Sequence, residues 1–439
     1  MIMLGLIKKI KKLGHLLLAW FFYWFYGRPA RRLIVVGVTG TKGKSTTCRL
    51  IASVLESAGH KVGLLSTVEF QIGEQRWLNE RKMTMLGRGE IQKMLKQMVK
   101  AGCQYAVVET SSEGILQYRH YGLLYDIAVF TNLSPEHVEA HGGFVNLKND
   151  KSKIFAGLKK YPNKIINGKY INKIIIANID DPSSDFYLNF SADEKWVYTM
   201  KNTKTDIQNN VEGKIVKSDE FGTEFLANGE NNKINLVGHF NVYNALAAVA
   251  VGQSQKVNNE AIAAGLENIQ TVEGRMEFID QGQKFKVVVD YAHEPVSLSA
   301  LFKTLRQIIL SGKKIVAIIG SDGGGRDKQK RFKMGELSGR EADIVVVTDV
   351  NCFDEDPWDI AQMIADGVRQ AGKKDNEDLF VEIDRRKAIT KAFNLAGNGD
   401  VVAITAKGTE PCIVISGGQK ISWDDRKVAR EELDKLLTA

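Results

Sequence analysis

Cysteine is scarce in this 439-residue chain, and the four present (Cys48, Cys103, Cys352 and Cys412) lie far apart with no paired spacing. That pattern excludes a zinc ribbon and a disulfide framework and fits a reducing cytoplasm. No apolar run reaches the ~20 residues that a membrane-spanning helix needs. The nearest lies within Leu13 to Tyr26, and the YGRPARR after it offers no small-residue cleavage site, so a secretory signal is not expected. An aromatic-and-basic stripe of the single-strand-binding type is also missing, which argues against a nucleic-acid partner. The net charge of +8 is modest, and part of it flanks that apolar run as Lys8, Lys9, Lys11, Lys12, Arg28, Arg31 and Arg32. Such clustering suggests a membrane surface or anionic ligands. With Trp20, Tyr23, Trp24 and Tyr26 inside the basic flanks, residues 1–30 suit a helix lying in a bilayer interface. A helix packed on the protein's own core, or on a partner, explains them equally well.

What the chain does have is a hydrophobic content of 44% with 26% charged residues, enough for a large globular core. The length predicts about two or three domains. The segment LIVVGVTGTKGKSTT, Leu33 to Thr47, organises the rest. Four apolar, mostly β-branched residues read as a buried strand, which breaks into a Gly- and Thr-rich turn and then a helical pattern. Backbone N–H groups at such a helix start converge on one point, with the helix dipole behind them. Gly40, Thr41, Lys42, Gly43, Lys44, Ser45 and Thr46 therefore form a P-loop for a nucleoside triphosphate. Lys44 serves as the point charge on the outer phosphates and Ser45 as a magnesium ligand. Val38 stands where the pattern's first Gly is expected, and Gly37 and Gly40 supply the flexibility.

From Leu33 onward strands and helices alternate, the mark of an α/β fold with a mostly parallel sheet. Strands are expected over 62–65, 105–109 and 127–131, and a helix over 90–101. Ligands collect beyond the carboxyl ends of such strands. Two strand ends are rich in ligating groups: ETSSEG brings Glu109, Ser111 and Ser112, and TNLSPEHVEAHGG brings Asn132, His137 and His141. A carboxylate and an imidazole near a P-loop suit magnesium bridging ATP phosphates. Taken alone, Glu109 is equally an exposed cap and the histidines a plain helix face. Between Asn163 and Lys233 the chain is rich in Lys and Asn, with strand material in IINGKYINKIIIANID and WVYTM. A second α/β unit is expected from about Glu273, with strands in VVVDYAH, IVAIIG, DIVVVTD and VVAITAKG and helices over 297–310 and 357–370.

The motifs GVTGTKGKSTT, ETSSEGILQYR, TNLSPEHVEAHGG, NDKSKIF, LVGHFNVYNALAA, EGRMEF, VVVDYAHEP, GSDGGGRDKQKR and AKGTE resemble, in order and spacing, those of the Mur ligases. Within that family the tripeptide-synthetase (MurE-like) branch is the most similar, over roughly residues 31–439. The resemblance implies a short apolar N-terminal helix (1–30), a central P-loop ATPase domain (31–272) and a C-terminal Rossmann-like domain (273–439). It implies ATP and two magnesium ions as cofactors. Ser45, Glu109, His137 and Lys151 are the implied metal ligands, with Lys151 carbamylated so that a basic residue becomes a carboxylate. Without that context Lys151 reads as a solvated lysine in a Lys-rich stretch. The resemblance places Asn241 and Asn244 at the nucleotide, Arg275 at the γ-phosphate, and Asp290 and His293 by the ribose and adenine. Thr84, Ser111, Gln117 and Arg119 fall where a muramoyl-dipeptide acceptor is held, and Arg326, Asn351 and Glu410 where the incoming amino acid is held. Lys44, Lys151, His137 and Arg275 are the implied catalytic set.

The implied reaction is ATP-dependent amide formation between UDP-N-acetylmuramoyl-dipeptide, or a related muramoyl acceptor, and a free amino acid in peptidoglycan precursor synthesis. The enzyme is expected to work as a monomer in the cytoplasm, peripheral at the inner face of the membrane if residues 1–30 touch lipid. Two departures stand out. Only about thirty apolar and basic residues precede the P-loop strand, where the branch has a uridine-nucleotide-binding domain. The acceptor is then held by its sugar-peptide end, with a partner's help, or on a lipid carrier. Second, Val350-Asn351-Cys352-Phe353 stands where diaminopimelate-adding enzymes have Asp-Asn-Pro-Arg, and Phe353 cannot replace an arginine's bidentate clamp on a carboxylate. Lysine or another amino acid is thus as good an expectation as diaminopimelate. The alternatives are a folylpolyglutamate-synthase-like ligase, a relative of the Mur-ligase-like amidotransferase subunit (whose four-cysteine ribbon is missing here), and a non-catalytic membrane-associated ATP-binding scaffold.

Overall fold

A computed structural model describes residues 2–81, 83–135, 141–325 and 328–438, with side chains from residue 13 onward. His137 and Arg326 lie outside the described residues. The chain forms two compact units, Met1–Ser218 with Gly222–Gln270, and Asp219–Phe221 with Thr271–Ala439.

The first unit is built on strands β1 (Ile34–Thr39), β2 (Val62–Leu65), β3 (Glu69–Ile72), β4 (Gln75–Leu78), β5 (Tyr105–Glu109) and β6 (Ile127–Phe130). A small hairpin, β7 (Ile165–Ile166) and β8 (Lys169–Tyr170), precedes β9 (Ile174–Asn178), β10 (Glu194–Thr199), β11 (Asn209–Asp219), β12 (Gly222–Ala227) and β13 (Glu230–Ile234). Among the described residues, eleven of these form one sheet in the order β13-β12-β11-β10-β9-β6-β1-β5-β2-β3-β4. β2, β5, β1, β6, β9, β10 and β11 run parallel. The central runs, such as IAVF of β6 and IIIAN of β9, are apolar on both faces, as strands covered on both sides must be. The Lys- and Asn-rich stretch extends the same sheet as β9 to β13. There one face of each outer strand is exposed, which explains its polar composition.

β1 lies between β5 and β6, with Val38 opposite Glu109 and Thr39 opposite Phe130. The carboxyl ends of β1, β5 and β6 thus share one edge, and the P-loop helix Lys44–Ser57 leaves from it. The start of β1 is tied to a buried charge cluster. Asp126 accepts from Val35 N at 2.9 Å, Lys164 Nζ at 2.6 Å and Lys173 Nζ at 2.7 Å, and all three ionic side chains are buried. Burial, offset in part by Asp126, pushes Lys164 down to about 8.

The helix Ile2–Phe25 belongs to the first unit and lies along the helix Arg88–Lys100. Ala19 and Tyr23 face inward, and Tyr23 meets Tyr121 edge-on with ring centroids 6.1 Å apart. Packing on the protein's own core thus accounts for one face of this helix. No helix among the described residues is long and apolar enough to cross a membrane.

The second unit carries β14 (Glu277–Ile279), β15 (Lys286–Val289), β16 (Ile315–Ile319), β17 (Ile344–Val347), β18 (Leu379–Val381) and β19 (Val401–Ile404), in the order β14-β15-β19-β16-β17-β18. All but β14 are parallel. A hairpin, β20 (Cys412–Val414) with β21 (Lys420–Ser422), follows. The expected helices appear as Pro295–Ile308 and Pro357–Gln370.

Candidate active site

The P-loop is held from three sides. Thr41 N donates to Asn132 O and Lys42 N to Asn132 Oδ1, each at 2.9 Å, so the end of β6 sets the loop's path. Gly40 has φ 152°, and a Cβ there would lie 2.0 Å from Thr131 Oγ1. Gly43 has φ 79°, and its Cβ would lie 2.2 Å from Asn244 Oδ1. Only glycine fits either position without displacing a neighbour. Asn244, on the helix His239–Ser254, accepts from Thr47 Oγ1 and donates to Asn241 Oδ1, so the two expected asparagines brace the loop as a pair. Lys44 Nζ donates to Thr41 O at 2.8 Å, and Thr46 is buried in the first helical turn.

Ser45 Oγ donates to Glu109 Oε2 at 2.9 Å, and the same carboxylate oxygen accepts from Thr67 N at 2.7 Å. Glu109 is therefore a buried carboxylate and no exposed cap. A hydroxyl and a carboxylate oxygen in contact at a P-loop are hard oxygen donors of the type magnesium takes, so these residues fit that ion. Their effect reaches Cys48, one turn on, whose thiol is pushed well up by burial and by Glu109.

Lys151 differs from the solvated lysine that its Lys-rich surroundings suggest. It is 4% exposed, and its Nζ donates to Gly40 O at 2.7 Å, which brings it to the P-loop from 111 residues away. Carbamylation leaves one N–H on that nitrogen, so the bond to Gly40 is compatible with it. His141, the second histidine of its motif, is buried against Asp150, with Nδ1 and Oδ2 2.7 Å apart.

The expected acceptor residues converge beside Glu109. Thr67 Oγ1 donates to Thr84 Oγ1 at 3.0 Å, linking Thr84 to the metal side of the site. Ser111 Oγ caps the short helix Ser112–Leu116 by accepting from Gly114 N. Gln117 Oε1 accepts from Arg119 Nε at 3.0 Å and Nη2 at 2.7 Å, while Arg119 Nη1 donates to Met85 O. Burial pushes the Arg119 guanidinium down.

Three participants were not evident from sequence. Thr67 sits just past β2, where a polar residue after a strand was the available signal. Asp181, past β9, accepts from Leu133 N at 2.8 Å and fixes the start of the TNLSPEH loop. Arg88 opens the helix beside Arg119; its Nε and Nη2 are buried without hydrogen-bond partners, and burial together with Arg119 pushes it down.

In the second unit, three motifs meet. Asp290 Oδ2 accepts from Met276 N at 2.8 Å and Oδ1 from Ala292 N at 2.7 Å, fastening EGRME to DYAHEP. The Arg275 guanidinium lies over the Tyr291 ring, 4.4 Å from its centroid, and His293 meets the same ring edge-on. Gly274 comes so near Gly408 that a Cβ on it would lie 2.6 Å from the Gly408 backbone. Asn351 is the hub of a second cluster. Its Nδ2 donates to Asp322 Oδ1 at 2.7 Å and Glu410 Oε2 at 3.1 Å, and its Oδ1 accepts from Lys407 Nζ at 3.2 Å and Val414 N at 2.9 Å. Lys407 is fully buried and also donates to Glu410 Oε2 at 2.9 Å. Phe353 holds a left-handed φ of 53° next to this cluster in sequence.

Comparison with known proteins places this arrangement. The family model "Mur ligase middle domain" matches residues 38–252, and "Mur ligase, glutamate ligase domain" matches residues 274–408. A UDP-N-acetylmuramyl-tripeptide synthetase of Roseiflexus sp. (strain RS-1) is 37% identical over 420 residues, covering 94% of this chain and 81% of that protein. A UDP-N-acetylmuramoyl-L-alanyl-D-glutamate–2,6-diaminopimelate ligase of Geobacillus kaustophilus is also 37% identical, over 92% of this chain and 80% of its own. A solved 2,6-diaminopimelate ligase structure superposes with a TM-score of 0.60 at 27% identity, covering 92% of this chain and 79% of that one. A folylpolyglutamate synthase of Mycobacterium tuberculosis shares the fold, at a TM-score of 0.66, 17% identity, and 89% and 92% coverage. With both family domains matched and relatives at this identity, the chain belongs to the Mur ligase family of ATP-dependent amide ligases.

Proposed function

We propose that this protein adds a free amino acid to a muramoyl-dipeptide acceptor, such as UDP-N-acetylmuramoyl-dipeptide, in peptidoglycan precursor synthesis. The observation that carries the reading is the contact of Ser45 with Glu109, which reaches Thr84 through Thr67 and so joins the nucleotide loop to an acceptor residue. The functional domains are taken as 31–272 and 273–439, with a monomer working in the cytoplasm and attached peripherally to the inner membrane face through residues 1–30.

The acceptor's carboxylate attacks the γ-phosphorus of ATP, giving an acyl phosphate and ADP. The amine of the amino acid then attacks the acyl carbon, and phosphate leaves. In the first step Lys44 and Arg275 neutralise charge on the transferring group, and the P-loop amides hold it in line. Ser45, Glu109, His137 and carbamylated Lys151 would hold two magnesium ions, which would supply positive charge against that of the phosphates. Asn241 and Asn244 keep the loop in shape, and Asp290 and His293 serve the nucleoside. Gln117 fixes Arg119, whose guanidinium, with Ser111 and Thr84, takes the acceptor. Arg326, Asn351 and Glu410 take the amino acid, with buried Lys407 donating to Glu410 as its counter-charge. Because Phe353 offers no guanidinium for a distal carboxylate, lysine stands beside diaminopimelate as a donor.

The test is phosphate release from ATP with each acceptor and amino acid supplied singly and together. Release that requires both supports the ligase; release indifferent to both, or none with any pair, argues against it. Glutamate addition to a folate would instead reassign the acceptor.

A further inference from the structure

The helix Ile2–Phe25 has only one of its faces accounted for by packing. Opposite Ala19 and Tyr23, the side chains of Leu13, Leu17, Trp20, Phe21, Trp24 and Phe25 form a continuous stripe at spacings of three and four, between 49% and 65% exposed. Isolated exposed apolar residues need no explanation, but six large ones on one helix face do. The inner face is firmly seated: Phe22 lies against Gly89, where a Cβ would come within 3.0 Å of its ring, and Tyr23 fills the space over Gly122. The next turn is anchored too, since Pro29 and Ala30 are buried. The stripe is therefore held in fixed orientation on the surface of the first unit.

The charge of its own segment of chain has one sign. Residues 1–32 carry seven basic side chains and no acidic one, and the first carboxylate of the chain is Glu56. Arg31 and Arg32 are exposed just beyond the helix, and the Arg28 guanidinium lies 4.4 Å from the Trp24 ring centroid. A second copy of the chain would bring this positive cluster against its own like, whereas an anionic lipid surface complements it. Tryptophans beside arginines are the side chains that settle at headgroup level, with apolar neighbours reaching the acyl boundary.

We propose that this stripe docks in the plane of an anionic lipid surface, with Arg28, Arg31 and Arg32 on the headgroups. This deepens the peripheral attachment proposed for the enzyme and rests on that reading only for the choice of the inner membrane face. Because Tyr23 braces Tyr121, two residues from Arg119, docking holds the acceptor-side loop next to the lipid.

The experiment sediments the full-length protein with phosphatidylcholine vesicles, with and without phosphatidylglycerol. Binding to the anionic vesicles is expected to exceed that to neutral ones roughly tenfold or more, and to fall as salt rises. A Trp20→Ser/Phe21→Ser/Trp24→Ser variant should lose it, with an unchanged melting transition. Arg31→Glu/Arg32→Glu, outside the helix, should weaken it several-fold and decides the matter if the first variant melts early. Equal binding to both vesicle types, no binding, or a dimer on gel filtration that the triple variant dissolves would overturn the proposal. Amide-ligase turnover with a soluble acceptor, measured on the same samples, keeps a failure here separate from a failure of the ligase reading.

Discussion

Glu109 is bonded at once to Ser45 of the P-loop helix and to the backbone of Thr67, at 2.9 and 2.7 Å through one carboxylate oxygen. Glu109→Ala should lower turnover by roughly 10²–10³, the range seen when one charge-stabilising group is removed. Magnesium titration of phosphate release distinguishes the cause: a lost metal ligand raises the magnesium needed, and an unchanged requirement would assign Glu109 a purely structural part.

Gly43 and Asn244 cannot both stay in place if a methyl is added. Gly43→Ala puts a Cβ 2.2 Å from Asn244 Oδ1 at a left-handed φ. The expected cost is about 1–3 kcal/mol of stability, with ATP affinity reduced. Thermal melting with and without ATP reads both quantities. A fully stable variant with wild-type affinity would mean that the loop adopts another path.

Lys151 separates a positioning lysine from a carbamate. Lys151→Ala should be inactive, and short-chain carboxylates should restore part of the activity if the wild-type side chain carries CO2. Inactivity without rescue favours the plain ammonium on Gly40 O; activity without any additive removes Lys151 from the catalytic set.

The P-loop and the strand-end carboxylate beside it were legible in the sequence because each is a short contiguous pattern at a strand end. The burial of Lys151 was not, since Lys153, Lys159 and Lys160 are exposed and only tertiary packing selects this one. Asp126 was hidden for a related reason: its partners lie 38 and 47 residues away, and nothing local marks Lys164 or Lys173 as buried. Asn351 stood out through its motif, yet its role as a hub depends on Lys407, which looks like any lysine in AKGTE. Within the polar stretch 163–233, IIIAN and WVYTM marked β9 and β10, but β11 to β13 were concealed because strands with one wet face lose the apolar runs that reveal the central ones.

Asp126 also allows a stability test. Asp126→Ala takes the counter-charge from two buried ammonium groups, leaving each a backbone carbonyl, and removes the acceptor of the Val35 N–H. A loss of about 3–5 kcal/mol is expected in urea unfolding. A loss under about 1 kcal/mol would mean that water enters the cluster and screens it.

His120 sets an acid limb. Burial, with a smaller push from Lys153, lowers it to about 4, and its Nδ1 is buried without a partner. The folded-state value lies below the ordinary 6.5, so on acidification the unfolded chain binds its proton first. Its contribution is therefore complete above about pH 6.5 and is lost as pH falls toward about 4, by about 1–3 kcal/mol. His120→Gln should flatten the stability profile across that window; an identical slope in both proteins would contradict the assignment.

Ligase activity is read from phosphate release from ATP by the purified protein with UDP-N-acetylmuramoyl-dipeptide, a panel of amino acids, and Lys44→Ala in parallel. The ligase account predicts release only when the acceptor and one amino acid are both present, and none from Lys44→Ala with its melting transition intact. Release that ignores the acceptor, or that survives in Lys44→Ala, would contradict it. Silence with soluble and lipid-linked acceptors alike would leave the ATP-binding scaffold as the better description.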